Sequence, residues 1–461
     1  GGSTRPGAKS NLTIRQPYSL AKDGGNLNPL YVIDGVLQID AQGLNDSTLF
    51  DNLDASEVES ISFLKDAAAA IYGARSAQGV VLVTTKRGTK GDPKFTYSGS
   101  YGTNDKTYQT KTLNAYEFGK YVNIMNGPNG YNQPVTDPQY FFSDDELEYF
   151  KTLKNTYLDD EWKPSFNLRQ NLNVSGGTDK ATYFAGVSYY KQNGNLSTLD
   201  YEKWNFRAGT DIKLSSNWKA GIQLSGFYSD QTKTFNKIGG EVEENDYNKL
   251  LMHVPYIPNY VNGLPMELPN NNDGNQRYHY NEIKRLNNLA ETTATTMTIN
   301  MYTEYKFPFV KGLMARGAYA RTMGSGRGTQ VGTGYTLYQF TGLGTNGHIY
   351  NDDITTPPLR SKFYDNGNRL YFSNTTNLSE QYNLNFSYDR TFGKHNVSGL
   401  FAIERSEATS NNEVVFKSNV LEGTNGQFNT ATGPIDGSTT KSESGSLSYV
   451  GRVNYAYDDK Y

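Results

Sequence analysis

Cysteine is absent from all 461 residues, which excludes disulfides, thiolate metal centres and cysteine nucleophiles. Histidine occurs only at positions 253, 279, 348 and 395, and no pair of them has an H-E-x-x-H spacing. A G-x-S-x-G elbow and a Walker A loop are also missing, so nucleophilic hydrolases and phosphate-handling enzymes gain no support. Neither sign of charge dominates. The chain has 44 Lys and Arg against 47 Asp and Glu, a net charge of −3, without the basic excess a nucleic-acid binder would carry. No apolar run reaches the roughly 18 residues of a transmembrane helix. This last absence does not exclude a membrane β-barrel, because alternating lipid-facing and lumen-facing residues dilute the mean hydropathy, here −0.68. The opening Gly1-Gly2-Ser3-Thr4-Arg5-Pro6-Gly7 reads as a loop and lacks the pattern of a signal peptide.

What the chain has in quantity is tyrosine and phenylalanine, 36 and 22, with 3 tryptophans and 46 glycines. Such a composition suits either an outer-membrane barrel or a large soluble β-protein. The first ninety or so residues differ from the rest. Leu30-Tyr31-Val32-Ile33 is a short apolar run followed by the turn pair Asp34-Gly35. Glu59 to Lys65 alternates as a strand would. Asp66 is placed to cap a helix over Ala67-Ala68-Ala69-Ala70-Ile71-Tyr72, and Gly79 to end it. Val80 to Thr85 then returns as a buried strand. A small α/β domain over 1–93 is expected, closed by Lys86-Arg87-Gly88 and a loop to Pro93.

From Phe95 onward a period of two dominates. Phe206, Ala208, Thr210, Ile212 and Leu214 alternate with Arg207, Gly209, Asp211 and Lys213. Trp218, Ala220, Ile222 and Leu224 alternate with Lys219, Gly221, Gln223 and Ser225, and Tyr382, Leu384, Phe386 and Tyr388 with Asn383, Asn385, Ser387 and Asp389. An apolar face opposite a polar one is what a barrel strand between lipid and a wet lumen requires. About ten such segments occur, each near or above the roughly 9–11 residues that span a bilayer. Short turns at Gly176–Lys180, Ser215–Asn217, Pro308–Gly312 and Gly393–His395 alternate with long polar stretches over 231–290, 327–378 and 408–440. The 192–201 link is a shorter member of the long class. Short periplasmic turns and longer external loops give a barrel this rhythm. The insertion over 103–165 falls on the external side, with a capping box at Ser143-Asp144-Asp145-Glu146 announcing a helix.

The residues that stand out have ordinary uses. Asp144-Asp145-Glu146 and Asp159-Asp160-Glu161 contain paired carboxylates, but adjacency in sequence is not the spatial pairing glycoside hydrolysis needs, and charged loop tips are the expectation. Asn270-Asn271-Asn272-Asp273-Gly274-Asn275 resembles a calcium loop only faintly. Aligning Gly274 with the loop glycine puts Pro269 and Tyr280 at the first and last ligand positions. His253 and His279 share one long loop without a metal-binding pattern. No catalytic, cofactor or metal residue is assigned.

Two segments carry a family resemblance. PLYVIDGV over 29–36 and VESISFLKDAAAAIYGARSAQGVVLVTTKRG over 58–88 resemble the plug of SusC-like TonB-dependent outer-membrane transporters of Bacteroidetes. Downstream, Asn173–Phe184 resembles that family's early barrel hairpin and Tyr449–Tyr455 a mid-barrel strand. Gln16 and Gln78 depart from the pattern, where Gly and Asn are expected. The resemblance implies a mainly β protein: an N-terminally incomplete plug over 1–93, then about ten antiparallel strands over 94–461 of a barrel expected to have 22. It implies that the sequence is a segment, without the TonB box and N-terminal regulatory-like domain of the family. It further implies an integral outer-membrane location in contact with lipid, no enzymatic activity, and TonB-driven import of oligosaccharides or, alternatively, oligopeptides. A SusD-like surface lipoprotein would act as lid, and TonB would pull on an N-terminal segment. A surface glycan-binding β-protein without transport is the reading from outside the family. The plug motif residues Tyr31, Asp34, Gly35, Lys65, Asp66, Ala67, Tyr72, Gly73, Arg75 and Gly79 are expected to be structural.

Overall fold

The computed structural model describes residues 6–8, 12–14, 28–65, 69–126, 141–154, 157–196, 198–237, 243–268, 277–423 and 426–458. The N-terminal unit is built on β1 (Leu30–Ile33), β2 (Val36–Leu37), the one-turn helix α1 (Thr48–Asn52), β3 (Val58–Leu64) and β4 (Val80–Thr85). Its strand order is β2-β1-β4-β3, with β1 and β4 parallel and the outer pairs antiparallel. Asp34 and Gly35 both take positive φ, 51° and 84°, the backbone a two-residue hairpin turn demands. The parallel pair is covered on both faces, which explains its unbroken apolar run. Leu30, Val32 and Val80 bury on one side, and Tyr31, Ile33, Val81 and Val83 on the other.

The helix expected over 67–72 is described only from Ala69 onward, and there it takes another form. Asp66 and Ala67 lie outside the described residues, and the segment that follows is a 3-10 turn, Ala70–Ser76, broken at Gly73 (φ 69°). Glycine without a Cβ adopts that conformation at little cost, and the tighter 3-10 winding suits so short a connection.

The remaining chain forms one ten-stranded antiparallel sheet. Its strands are β5 (Gly91–Asn104), β6 (Ser165–Gly177), β7 (Ala181–Asn193), β8 (Asp200–Lys213), β9 (Trp218–Thr234), then, after the short external pair β10 (Tyr260–Val261) and β11 (Leu264–Pro265), β12 (Leu289–Lys306) and β13 (Leu313–Gly332). A second external pair, β14 (Tyr335–Gln339) and β15 (Arg360–Tyr364), precedes β16 (Arg369–Phe392), β17 (His395–Ser418) and β18 (Ile435–Tyr457). Every neighbour along the sheet is the next long strand in sequence, so the wall is an up-and-down meander with open edges at β5 and β18. All short turns lie at one end and all long connections at the other, as the sequence rhythm requires.

The alternation sorts by face as expected. Phe206, Ile212, Trp218, Ile222, Tyr382, Leu384 and Phe386 are exposed on the outer face of the sheet, while Arg207, Asn205, Gln223 and Gln381 are buried on the inner one. On β9, Trp218 and Tyr228 bracket an outer stretch of about ten residues, roughly 33 Å of strand, or about 25 Å at a tilt near 40°. That height matches the apolar band of an outer-membrane barrel. Trp218 pairs with Tyr305 on β12, and Tyr228 lies beside Trp204, whose ring meets Tyr189 at 4.5 Å. These rows form the two aromatic borders expected at the interfaces.

The strands run further outward than the sequence pattern indicates. The long stretches expected over 231–290, 327–378 and 408–440 shrink to 235–288, 333–368 and 419–434. Outside the bilayer no lipid selects an apolar face. The strands therefore continue as polar pairs, such as Ser442 opposite Ser410 and Thr440 opposite Asn412, which carry no alternation to read.

The external connections pack into cores of their own. Tyr280, Ile283, Leu337 and Tyr364 form one, joined by Leu158 of the insertion helix α4 (Tyr157–Glu161), and Phe142 and Phe150 form another with Ala115 around the insertion helices α2 (Ala115–Asn126) and α3 (Asp144–Phe150). Glu146 corrects the loop-tip expectation. It is fully buried and accepts from the Ser143 N–H (3.0 Å), from the Asn346 and His348 N–H groups (2.9 Å each) and lies 3.0 Å from His348 Nδ1. A buried carboxylate satisfied by several donors ties the two insertions together. Asp159 and Glu161 form ion pairs with Lys106 and Lys284. Asn270–Asn275 lie outside the described residues.

Candidate functional site

The N-terminal unit docks on the inner face of the sheet, and β8 supplies most of the charged contacts. Side chains at odd positions of β8 point inward two residues apart, so one strand presents a ladder. At its outer end Tyr201, Lys203 and Asn205 hold Asn52 at the end of α1. Lys203 Nζ donates to the Asn52 carbonyl at 3.1 Å, Asn205 Nδ2 to the same oxygen at 2.5 Å, and the Tyr201 hydroxyl to Asn52 Oδ1 at 3.4 Å. A cation at a helix C-terminus meets the negative end of the helix dipole.

Next on the ladder, Arg207 pairs with Asp34, and both side chains are only 4% exposed. The Asp34 carboxylate also accepts from the Thr85 N–H (3.0 Å) and hydroxyl (2.6 Å). The third rung, Asp211, takes Arg87 at 3.1 Å and the Tyr302 hydroxyl at 2.6 Å. Arg87 also lies over the Tyr302 ring, 5.4 Å from its centroid. β8 thus contacts the plug-like unit from α1 to the segment where its chain leaves for β5.

Contacts to later strands are mostly neutral. The Leu37 N–H donates to Gln381 Oε1 at 2.8 Å, Gln381 Nε2 to the Gly35 carbonyl at 3.3 Å, and Ser444 Oγ to the Asp40 carbonyl at 3.1 Å. Arg75 donates to Ser446 Oγ at 3.2 Å, so it meets the wall through a hydroxyl.

Above α1 lies a cavity of about 1140 Å³. Its floor is Thr48 to Asp54, its sides are inward residues of β6 to β9, and its roof is Trp162, Leu196, Tyr247 and Tyr280 from the external connections. Asp51, Asp54 and Asp246 are matched by Arg169, Lys203 and Lys233, so the lining carries as many carboxylates as cations. Several are committed elsewhere: Arg169 lies 3.7 Å from Asp54 and over the Tyr190 ring, and Asp246 accepts from Asn236 at 2.6 Å. Between them stand the amides of Asn52, Asn167, Gln192 and Gln231 and the rings of Tyr190, Tyr201 and Phe227. Large concave sites with aromatic walls and a few convergent polar groups are ordinary ligand sites.

The residues singled out from the sequence divide between fold and contact. Tyr31 is buried against Phe50, 4.8 Å between ring centroids, and burial followed by the nearby Asp51 carboxylate pushes its hydroxyl up to about 12. Tyr72 packs on the cluster of Leu30 and Val80. Gly79 has φ 92°, and a Cβ there would stand 3.0 Å from Ile14. Lys65 is exposed. Asp34 and Arg75 also reach the wall. Sequence reasoning missed the other half of the interface: Lys203, Asn205, Arg207, Asp211 and Gln381 were legible only as polar interleaves.

The histidines have structural roles. The His253 ring lies 3.8 Å from Tyr157, and burial lowers its basicity to about 4. His279 caps the helix Tyr280–Arg285 by accepting from the Glu282 N–H at 3.2 Å. Among the described residues, no group of three or more His, Asp or Glu is arranged to hold a metal ion.

Residues 2–80 match the TonB-dependent Receptor Plug Domain family model. The chain is 27% identical over 490 residues to TonB-dependent receptor P3 of Formosa agariphila, covering 99% of this chain and 40% of that protein. Over 203 residues it is 27% identical to TonB-dependent receptor SusC of Bacteroides thetaiotaomicron, covering 43% of this chain and 18% of SusC. Among solved structures, the RagAB peptide importer in its open-open state superposes with a TM-score of 0.64 at 18% identity, over 94% of this chain and 47% of the other. The chain spans about two fifths of the length of relatives such as P3. These relatives are receptors and importers by name, not enzymes.

Proposed function

We propose, taking the chain as the plug and ten wall strands of a SusC-like TonB-dependent receptor, that the whole protein imports neutral oligosaccharides across the bacterial outer membrane. The plug corresponds to 1–93 and the transmembrane wall to 94–461. Tyr31, Asp34, Gly35, Lys65, Asp66, Ala67, Tyr72, Gly73, Arg75 and Gly79 maintain the plug. The observation that carries the reading is the cavity above α1, floored by the plug and walled by the sheet. Ligand entering from the long-loop side passes the external connections and is stopped by the plug, as an importer with a closed gate requires.

Its lining supports the sugar assignment. Amides offer paired donors and acceptors to hydroxyls, tyrosine rings offer flat faces to pyranose C–H groups, and the balanced charges leave no net field to select an ion. A SusD-like surface lipoprotein would cover the external opening, and TonB would pull from the periplasmic side. The competing reading is an oligopeptide, since the structural neighbour RagAB is a peptide importer.

Equilibrium binding to the purified full-length receptor with its lipoprotein partner separates the two. Neutral oligosaccharides should bind saturably, and Tyr190→Ala should weaken them about tenfold, the loss of one stacking contact of roughly 1.4 kcal/mol. Saturable binding of peptides with no response to sugars would replace the proposal.

A further inference from the structure

The plug is fastened unevenly to the wall. Its chain leaves through Lys86, Arg87 and Gly88 towards β5, and this exit is laid directly on the sheet. A Cβ added at Gly88 would stand 2.3 Å from the Tyr183 nitrogen of β7. Beside that covalent tether stand the charged contacts. Arg87 meets Asp211 at 3.1 Å, Arg207 and Asp34 form their buried pair, and Arg169 of β6 lies 3.7 Å from Asp54. Lys203 adds a cation on the Asn52 carbonyl at 3.1 Å.

The far half of the sheet holds the plug through single bonds between neutral groups. Gln381 of β16 bonds the Leu37 N–H and the Gly35 carbonyl, and Asn383 Nδ2 reaches the same carbonyl at 3.4 Å. Ser444 of β18 donates to the Asp40 carbonyl at 3.1 Å. Arg75 is a cation on this side, but it donates to Ser446 Oγ at 3.2 Å and interacts with Glu404 of β17 only at longer range. Between the two halves, Asn300 of β12 donates to the Asp34 carbonyl at 3.4 Å. Among the described residues no ion pair joins the plug to β16, β17 or β18. Charge-assisted bonds are roughly twice as strong as neutral ones.

We propose that the plug opens as a flap: it turns on Lys86–Gly88 and the β8 ladder and parts first from β16 to β18, so that the passage forms along those strands. The bonds of Gln381, Asn383, Ser444 and Ser446 are the ones that break. Water satisfies the amides and hydroxyls they leave, whereas undocking Arg207 would separate a guanidinium from its carboxylate. The proposal rests on the importer reading only for what passes. A neutral, hydroxyl-rich chain finds donors and acceptors in the freed amides and hydroxyls. The cavity above α1 is walled mainly by β6 to β9, so bound cargo lies over the hinge and moves sideways before it descends.

Single cysteines in the full-length receptor, in outer-membrane vesicles, read the order of parting, and this stretch contributes none of its own. Ala408→Cys on β17 pairs with Ser444, and Ser188→Cys on β7 pairs with Asn205, so each stands beside a plug contact without removing one. The native side chains are buried, at 8% and 3% exposure. In urea too dilute to melt the plug, a maleimide should label Ala408→Cys about tenfold faster than Ser188→Cys, each scaled to its unfolded rate. Should either variant fail to assemble, Ala320→Cys on β13 or Asn171→Cys on β6 takes its place. Equal rates, or faster labelling on the β6–β7 side, overturn the proposal. A disulfide gives the second measurement. A Cβ on Gly43 stands 3.8 Å from that of Ser444, a separation disulfides adopt, so Gly43→Cys/Ser444→Cys bolts the plug to β18. Uptake of a labelled neutral oligosaccharide should stop when this bond forms and return on reduction. Uptake through the bolted receptor overturns the proposal. Labelling in the predicted order by a receptor that imports no oligosaccharide supports the flap and overturns the import reading instead.

Discussion

Replacing Asp34 by Ala leaves Arg207 as a buried guanidinium without its carboxylate, at 4% exposure. Breaking one side of such a pair costs about 3–5 kcal/mol, whereas replacing both partners with apolar groups costs far less. Asp34→Ala and Arg207→Met should each loosen the plug, measured as a fall in the urea concentration that exposes it to protease. The double variant Asp34→Leu/Arg207→Met should lose less than the sum of the two, because contacting residues are not additive. Half of this pair was legible. Asp34-Gly35 reads as a turn because an Asx–Gly pair tolerates positive φ, a property of two neighbouring residues. Arg207 reads only as a polar position in an alternating strand. Nothing local ties it to a carboxylate 173 positions away, since that pairing is made by the docking of two units.

Strand by strand, the apolar alternation predicts which substitutions the wall tolerates. Leu224→Arg places a charge on the lipid face between the aromatic borders and should cost about 2–4 kcal/mol. Asn167→Arg on β6, which faces the cavity above α1, should cost much less in wall stability. Heat-modifiable migration of the full-length receptor, with urea as the perturbant, distinguishes them. The same alternation explains where sequence reading stopped. Strand faces are written in apolar residues only where lipid touches them, so β16 to β18 were legible through the bilayer and lost above it. The 67–72 segment failed differently: an alanine run has strong helical propensity, but Gly73 and the short return to β4 permit only a 3-10 turn among the described residues. Glu146 was read as part of a charged loop tip because acidic clusters in polar connections are commonly exposed. Its burial depends on a loop 200 residues later. Glu146→Ala removes the acceptor shared by the Asn346 and His348 amides, so limited proteolysis should cut the 341–350 connection faster while the wall keeps its heat-modifiable migration.

For the molecule as a whole, one strand joins events at the two levels of the plug. Tyr201 and Lys203 of β8 line the ligand cavity and hold α1, while Arg207 and Asp211 on the same face hold the central turn and the exit of the plug. A ligand that displaces Lys203 from the Asn52 carbonyl therefore acts on the strand that carries the buried Asp34 pair. The central claim, that this plug and wall belong to an importer of neutral oligosaccharides, is tested most directly by uptake. Cells carrying the full-length receptor should accumulate a labelled neutral oligosaccharide saturably, and should stop when a protonophore removes the energy that TonB transmits. Uptake that persists unchanged without the receptor, or that is confined to peptides, would contradict the account.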